Sequence, residues 1–266
     1  MSPIVFAVAS VTVIGCILGL VLSIASKIFY VKVDERVIQI REILPGANCG
    51  GCGCAGCDEY ASKMVAGEAP TNLCAVGGPS VAAKASEILG VACGDMVPQT
   101  AIVKCKGHIN TTEYTEEFVG PQTCLACSTL WKGRTSCKNA CLGFGDCAAV
   151  CPQGAIKIVN NVAVVDRDLC IGCGKCARTC PNRVIELMPK TSNVFVACSN
   201  TDKGATTRTL CANGCIGCMK CEKNCPGEAI TVTNNVAHID YSKCCDCGVC
   251  VAGCPTKAIS FFELQK

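Results

Sequence analysis

Residues 211–255 decide the fold of this chain and read CANGCIGCMKCEKNCPGEAITVTNNVAHIDYSKCCDCGVCVAGCP. They hold two copies of a Cys-x2-Cys-x2-Cys-x3-Cys-Pro motif, with cysteines Cys215, Cys218, Cys221 and Cys225, and then Cys244, Cys247, Cys250 and Cys254. In such motifs the first three thiolates bind one iron–sulfur cube, and the fourth, beside proline, ligates the other cube of a two-cluster ferredoxin. The stretch therefore predicts an α+β ferredoxin-like domain that holds two [4Fe–4S] clusters.

The expected ligand sets of this domain cross between its two motifs. They are Cys215, Cys218 and Cys221 with Cys254, and Cys244, Cys247 and Cys250 with Cys225. Cys245 is left over, because only Cys244 keeps the two-residue spacing to Cys247. Zinc is a weaker interpretation, since zinc sites usually combine separated cysteine pairs with histidine and the chain has only 2 His. Disulfides would need an oxidising compartment.

The same pattern stands 74 residues earlier, so the chain contains a tandem duplication. The repeated cysteines of the first copy are Cys124, Cys137, Cys141, Cys147, Cys151, Cys170, Cys173, Cys176 and Cys180, which return as Cys198, Cys211, Cys215, Cys221, Cys225, Cys244, Cys247, Cys250 and Cys254. Both copies also carry an Asn-Asn pair between two short β-rich runs. We therefore predict hairpins with strands at 156–159 and 162–165, and at 230–233 and 236–239.

The two copies differ at one ligand position, where Phe144 stands in place of Cys218. Either another cysteine replaces the missing ligand, or that cluster is a three-iron type. We assign Cys137, Cys141, Cys147 and Cys180 to this cluster, and Cys151 with Cys170, Cys173 and Cys176 to its neighbour. The pairs Cys124/Cys137 and Cys198/Cys211 share a spacing and could have another role. They could be buried apolar thiols, or part of an additional cluster that also uses Cys105 or Cys127.

A smaller cysteine unit lies at residues 45–92. Its expected ligands are Cys49, Cys52, Cys57 and Cys74, the first two inside the glycine-rich loop NCGGCG. Cys54 could displace Cys52, but Cys52 keeps the two-residue spacing. Residues 58–66 and 79–89 are predicted as helices, the second ending at Gly90. Zinc is less strongly excluded here than in the repeats.

Residues 3–26, PIVFAVASVTVIGCILGLVLSIAS, carry no charged side chain and are long enough to span a bilayer as a helix. The first basic residues follow this segment, among them Lys27 and Arg36, so the positive-inside rule places the N-terminus outside and the rest in the cytoplasm. Gly15, Gly19 and Ser23 form a stripe that suits a partner helix, or simple lipid packing. Residues 27–44 continue as an amphipathic helical stalk.

The composition agrees with a cluster-binding protein. The chain has 266 residues, of which 29 are Cys and only 5% are aromatic, so cluster binding should supply much of the folding free energy. A net charge of +3 and the absence of a basic, aromatic-rich run exclude nucleic acid as an expected partner. The first repeat is basic and the second balanced. That excess could steer an acidic soluble ferredoxin, or offset the charge of bound clusters.

These observations divide the chain into six segments: a transmembrane helix (1–26), a helical stalk (27–44), a mostly α iron–sulfur unit (45–92), a linker (93–123) and two tandem ferredoxin-like domains (124–190 and 191–266). We expect five [4Fe–4S] clusters, and the remaining cysteines leave room for a sixth. No residue is assigned acid, base or nucleophilic work, and no dinucleotide-type glycine loop is present.

The stretch LPGANCGGCG at residues 44–53, with Cys57 and Cys74, a preceding apolar span and following ferredoxin motifs, resembles the B subunit of the Rnf electron transport complex. The resemblance covers nearly the whole chain. It implies a subunit anchored by one helix on the cytoplasmic side of the membrane. Such a subunit relays electrons from reduced ferredoxin into a complex that reduces NAD+ and moves Na+ or H+. Flavins and the nicotinamide site would belong to other subunits.

Two other functions remain as alternatives. One is a membrane-anchored polyferredoxin that serves a different oxidoreductase. The other, from a different class, is an iron–sulfur redox sensor. The absence of an effector domain and the large number of clusters argue against a sensor.

Overall fold

The computed structural model of the protein describes residues 3–28, 34–115 and 117–262. Its helices are α1 (Pro3–Ile28), α2 (Glu35–Ile43), α3 (Cys57–Val65), α4 (Gly78–Leu89), α5 (Cys124–Trp131), α6 (Asp146–Ala149), α7 (Lys175–Thr179), α8 (Gly204–Leu210), α9 (Lys220–Lys223) and α10 (Val249–Gly253). Its strands are β1 (Gln99–Val103), β2 (Ile156–Val159), β3 (Val162–Val165), β4 (Ile185–Pro189), β5 (Val194–Val196), β6 (Ile230–Thr233), β7 (Val236–Ile239) and β8 (Ile259–Phe261).

The N-terminal helix α1 is described in part, since the side chains of residues 3–7, 9, 10 and 28 lie outside the description. Over the stretches that the structure describes, no helix has both the length and the apolar character needed to cross a bilayer.

The first cysteine unit is a small helical body built from α2, α3 and α4. Asp34 is the N-cap residue of α2. Its backbone is extended, and its side-chain carboxylate accepts the backbone N–H of Arg36. Ile40 on α2 is fully buried, and α2 packs on both α3 and α4. The segment predicted as a stalk thus adds its C-terminal part to the core of this unit, while residues 29–33 lie outside the described residues.

The predicted helices of this unit are confirmed. Helix α4 ends at Gly90, which adopts the left-handed conformation with φ 66° that favours glycine. The phenol of Tyr60 in α3 holds the following loop, because its hydroxyl donates to the carbonyl of Pro70 at 2.8 Å and accepts the N–H of Leu73 at 3.0 Å.

Each ferredoxin-like repeat contains the predicted hairpin. β2 pairs with β3 and β6 pairs with β7, both antiparallel and both with the strand limits expected from the sequence. The connecting residues Asn160 and Asn161 have φ of 49° and 66°, and Asn234 and Asn235 have φ of 50° and 63°. Two successive positive φ values give a tight turn whose twist matches the strands, and asparagine tolerates them better than most residues.

A second two-stranded sheet completes each repeat. In the second repeat β5 pairs with β8, and in the first repeat β4 pairs with β1, which lies inside the predicted linker. Residues 93–123 therefore contribute an edge of the first repeat, and Thr112 forms a bridge to Cys211 of the second repeat. The segment was predicted as a linker because its pairing partners are far away in sequence.

The repeats have cores of small aliphatic side chains and cysteines. In the first repeat Val162, Val184 and Ile185 pack with Cys141 and Cys176, and the second repeat has an equivalent group around Val194 and Ile230. With few large apolar residues available, the thiols occupy positions that a larger domain would give to leucine or phenylalanine.

Replacing Tyr60 by Phe should loosen the first unit, because the N–H of Leu73 and the carbonyl of Pro70 lose a buried partner. An unsatisfied buried group costs about 1–3 kcal/mol, so exchange of the amides in residues 57–73 should accelerate roughly 5- to 150-fold. Hydrogen–deuterium exchange on the full chain measures this change. Tyr241→Phe is the control, because it removes a phenol hydroxyl outside this unit. Equal exchange in both variants would contradict the assigned role of Tyr60.

Candidate functional site

The first unit places its four expected cysteines around one cavity. Cys49, Cys52, Cys57 and Cys74 line the same cavity. The side-chain oxygen of Asn48 accepts the N–H of Cys57 at 2.8 Å and so fixes the loop to the start of α3. Cys54 is buried but does not line this cavity, which leaves Cys52 in the position that the spacing favoured.

The second repeat shows the crossed arrangement of its cysteines. Cys215, Cys218 and Cys221 share a cavity with Cys254, which comes from the other motif. Cys250 lies near Cys244 and Cys247, and Cys244 lies near Cys225. The crossing follows from the chain path, because each motif continues from its ligand loop into a short helix that delivers the fourth cysteine to the opposite end of the domain.

One half of the first repeat follows the same plan. Cys176 lies near Cys170, Cys173 and Cys151. The N–H of Ala155 points at the Cys151 sulfur at 3.3 Å, and the N–H of Ala101 on β1 points at the Cys170 sulfur at 3.4 Å. The segment predicted as a linker thus supplies a hydrogen bond to one of the expected ligands.

In the other half of the first repeat, the structure places Cys124 beside Cys141, Cys147 and Cys180, whereas the sequence spacing had assigned Cys137 to this set. Cys124, Cys141, Cys147 and Cys180 line one cavity, and Cys137 is not among its lining residues. The carboxylate of Asp146 accepts the backbone N–H groups of Cys124 and Leu125 at 2.9 and 3.0 Å, which holds the start of α5 against the ligand loop. Thr123 caps the same helix.

Phe144, at the position of the missing ligand, has a packing role. Its ring meets Phe118 edge-on at 5.7 Å, and the Arg134 guanidinium lies 4.3 Å from its centroid. Because this side chain is held in an aromatic group, the place of the fourth thiol is filled from α5. Sequence spacing could not find this, since Cys124 lies 17 residues before Cys141.

Cys137 lines a separate cavity. Its companions there are Cys105, Cys198 and Cys211. Burial, and then the neighbouring thiols of Cys198 and Cys211, raise the pKa of Cys137 to about 11. Four thiols therefore meet at a fourth cavity, and they include Cys105, one of the two cysteines that the sequence offered for an additional cluster.

Burial strongly raises the pKa of one or more thiols in each ferredoxin-like repeat. It raises the pKa of Cys147 to about 12, and the pKa values of Cys176, Cys221 and Cys250 to about 11. Without metal these groups hold their protons at neutral pH, so binding of iron must release protons and weakens as pH falls.

The donor sets suit iron–sulfur clusters, because each of the four cavities is lined by four cysteines. Within the described part of the chain, no group of three His, Cys, Asp or Glu side chains is close enough to hold a single metal ion. Instead, cysteine thiols stand around the walls of cavities and backbone N–H groups point at their sulfurs. A group of several iron and sulfide atoms needs such spacing, and four cysteines are the ligands of a [4Fe–4S] cluster.

The first unit touches the first repeat directly beside its ligands. The guanidinium of Arg178 donates to the carbonyl of Cys49 at 2.8 Å and to that of Cys173 at 3.4 Å. Gly51 lies so close that an added Cβ would stand 2.9 Å from the Cys173 carbonyl oxygen. The loop that carries Cys49 and the loop that carries Cys173 are therefore in backbone contact at Gly51.

Comparison with family models agrees with this division of the chain. Residues 44–76 match the model described as "Putative Fe-S cluster", residues 163–186 match "4Fe-4S binding domain", and residues 214–258 match "4Fe-4S dicluster domain".

Curated relatives match nearly the whole chain. The B subunit of the Na(+)-translocating ferredoxin:NAD(+) oxidoreductase complex of Acetobacterium woodii is 43% identical over 98% of this chain and 78% of its own length. The B subunit of the proton-translocating ferredoxin:NAD(+) oxidoreductase complex of Clostridium ljungdahlii is 42% identical over 97% and 93%. The B subunit of an ion-translocating oxidoreductase complex of Methanosarcina acetivorans is 39% identical over 97% and 98%.

Replacing Cys124 by Ala should convert one four-iron cluster to a three-iron form, because the cavity of Cys141, Cys147 and Cys180 would lose its fourth thiol. The oxidised variant should gain a three-iron EPR signal and lose about one iron per chain, from the four irons of a complete cluster. Cys127→Ala is the matched control, since Cys127 is fully buried on the same helix and does not line this cavity. A three-iron signal in Cys137→Ala and none in Cys124→Ala would restore the assignment made from spacing.

Proposed function

This chain belongs to the family of B subunits of ion-translocating ferredoxin:NAD+ oxidoreductase complexes, and on that premise we propose that it carries electrons from reduced ferredoxin into such a complex. It is an iron–sulfur electron-transfer subunit, as its ferredoxin-type domains and its relatives agree. The other subunits of the complex are its partners. They would supply NAD+ reduction and movement of Na+ or H+.

We infer five cluster sites from the cavities and thiol neighbours. The ligand sets are Cys49, Cys52, Cys57 and Cys74; Cys151, Cys170, Cys173 and Cys176; Cys124, Cys141, Cys147 and Cys180; Cys215, Cys218, Cys221 and Cys254; and Cys225, Cys244, Cys247 and Cys250. Bound clusters supply one-electron transfer. Cys124 takes the place that spacing gave to Cys137.

The observation that carries this proposal is the contact between neighbouring sites. Arg178 joins the ligand loop of the first unit to that of the first repeat, and the crossed pairing in each repeat places two sites inside one small core. Backbone N–H donors and burial set the energy of the charged sulfurs, so these groups of the chain would set the reduction potential of each bound cluster. A protein with one sensing site has no use for such a row of adjoining sites.

Electron entry can be tested on the full chain after anaerobic reconstitution. Mixed with an excess of reduced ferredoxin, the chain should accept about one electron for each [4Fe–4S] cluster that it holds, measured by bleaching of the visible absorbance and compared with the iron content of the same sample. Dithionite on the same sample is the control for intact clusters. Full reduction by dithionite with no reduction by ferredoxin would contradict the proposed electron donor and favour the sensor or another polyferredoxin partner.

We also propose that the apolar segment 3–26 anchors the protein in the membrane, with the N-terminus outside and the iron–sulfur units in the cytoplasm. The support is the lack of charge in that segment and the basic residues that follow it. The lipid bilayer is then a partner in addition to the other subunits.

Labelling in intact cells tests this topology. A membrane-impermeant maleimide should modify a Ser2→Cys variant, and it should leave the exposed, unassigned Cys93 unmodified until the cells are permeabilised. Cys93→Ser identifies the peptide that carries the label. Modification of Cys93 in intact cells would reverse the proposed orientation.

A further inference from the structure

Cys105, Cys137, Cys198 and Cys211 form a ring of thiols that none of the five sites uses. Like each of the three cavities assigned to clusters, their cavity is lined by four cysteines. The four thiols thus match the other sites in number and in the way they surround a shared space. We propose that they bind a sixth [4Fe–4S] cluster, which joins the two repeats.

The two repeats contribute equivalent residues to this ring. Cys137 and Cys211 are related by the 74-residue offset of the duplication. Cys105 and Cys198 are not, yet each stands two residues after a strand, β1 and β5 respectively, that pairs with the last strand of its own repeat. The site is therefore built alike on both sides, from Cys137 and Cys105 on one and from Cys211 and Cys198 on the other, although Cys105 lies before the duplicated segment.

The sulfur of Cys105 accepts the backbone N–H of Gly107, two positions later, at 3.4 Å. The backbone N–H groups of Asn139, Asn200 and Asn213 lie beside the sulfurs of Cys137, Cys198 and Cys211 with the same two-residue relation. The same local bond occurs at Cys49 with Gly51 and at Cys215 with Gly217, both of which are assigned ligands. A thiol that served only as a small apolar side chain would not collect such donors, which stabilise a charged sulfur.

Positive charge near the ring offsets the charge of four thiolates. Lys104 and Lys106 line the cavity, and Lys104 also pairs with Glu186 at 3.0 Å.

Polar contacts between the repeats hold the ring closed. The amide of Asn139 donates to Asn200 at 3.2 Å, and the hydroxyl of Ser199 donates to the carbonyl of Asn139 at 3.1 Å. On the other side the N–H of Ala212 donates to the carbonyl of Thr111 at 2.9 Å. The loops that carry the four thiols are therefore fixed to one another before any metal is considered.

The ring touches a ligand of a neighbouring site on each side. The N–H of Cys141, in the first repeat, donates to the Cys105 sulfur at 3.3 Å, and the N–H of Cys215, in the second repeat, donates to the Cys198 sulfur at 3.3 Å. A cluster here would let single electrons pass between the repeats with no bond formed or broken and no further reactant. This inference rests on the proposed electron-transfer function and adds the connection between its two halves.

The test is iron and zinc analysis with EPR on the reconstituted full chain and on the double variant Cys105→Ala/Cys211→Ala, which removes one thiol from each repeat. At four irons per cluster, we expect about 24 irons in the natural chain and about 20 in the variant, with one EPR-active cluster lost. Cys127→Ala should keep the full number. Because the count on the natural chain is decisive by itself, a variant that fails to fold does not remove the test.

The outcomes separate the two proposals. About 20 irons in the natural chain, or 20 irons with one zinc, would overturn the sixth cluster and leave the five assigned sites in place. Far fewer than 20 irons would contradict the five-site proposal itself. A natural chain with about 24 irons whose double variant also keeps about 24 would move the sixth cluster to other cysteines.

Discussion

The meeting of cysteines that are distant in sequence around shared cavities is the constraint on which this structure depends, and the proposed clusters would tie those cysteines together. The chain has few aromatic residues, and its repeats have cores of valine, isoleucine, alanine and cysteine that are too small to order two domains by burial alone. Crossed ligand sets such as Cys215, Cys218 and Cys221 with Cys254 tie the ends of each repeat together. Folding and metal loading are therefore coupled, as in other small metal-binding domains. Because of this coupling, a thiol that binds iron would contribute to the folding free energy as well as to electron transfer.

The two repeats differ at one position, where the first has Phe144 and the second has Cys218, and this difference changes the role of the equivalent cysteines Cys124 and Cys198. In the second repeat Cys218 completes its own loop, so Cys198 can face the first repeat. In the first repeat Phe144 packs on Phe118, and Cys124, the counterpart of Cys198, fills the gap. The position facing the second repeat is then taken by Cys105, which comes from outside the duplicated segment. The four thiols of the ring are therefore placed alike in the structure, but only Cys137 and Cys211 are related by the 74-residue offset in the sequence.

Much of the local structure could be predicted from the sequence because its causes are local. The Asn-Asn pairs set both hairpins, and Gly90 marks the end of α4. The close cysteine spacings predicted the loops whose thiols the structure brings together. What could not be predicted depends on contacts over long distances: the pairing of β1 with β4, the burial of α2 in the first unit, and the approach of Cys124 to Cys141. Spacing favoured Cys137 because it is nearest in sequence, whereas the Asp146 carboxylate holds the more distant α5 at the cavity.

The central claim is that an unbroken row of cluster sites runs from the first unit through both repeats. The most direct measurement is anomalous X-ray scattering at the iron edge from crystals of the reconstituted protein. We predict iron at each of the five assigned cysteine sets and at the ring of Cys105, Cys137, Cys198 and Cys211 between the repeats. Iron in both repeats with none in that ring would contradict a continuous path, because the two halves of the duplication would then lack the site that joins them.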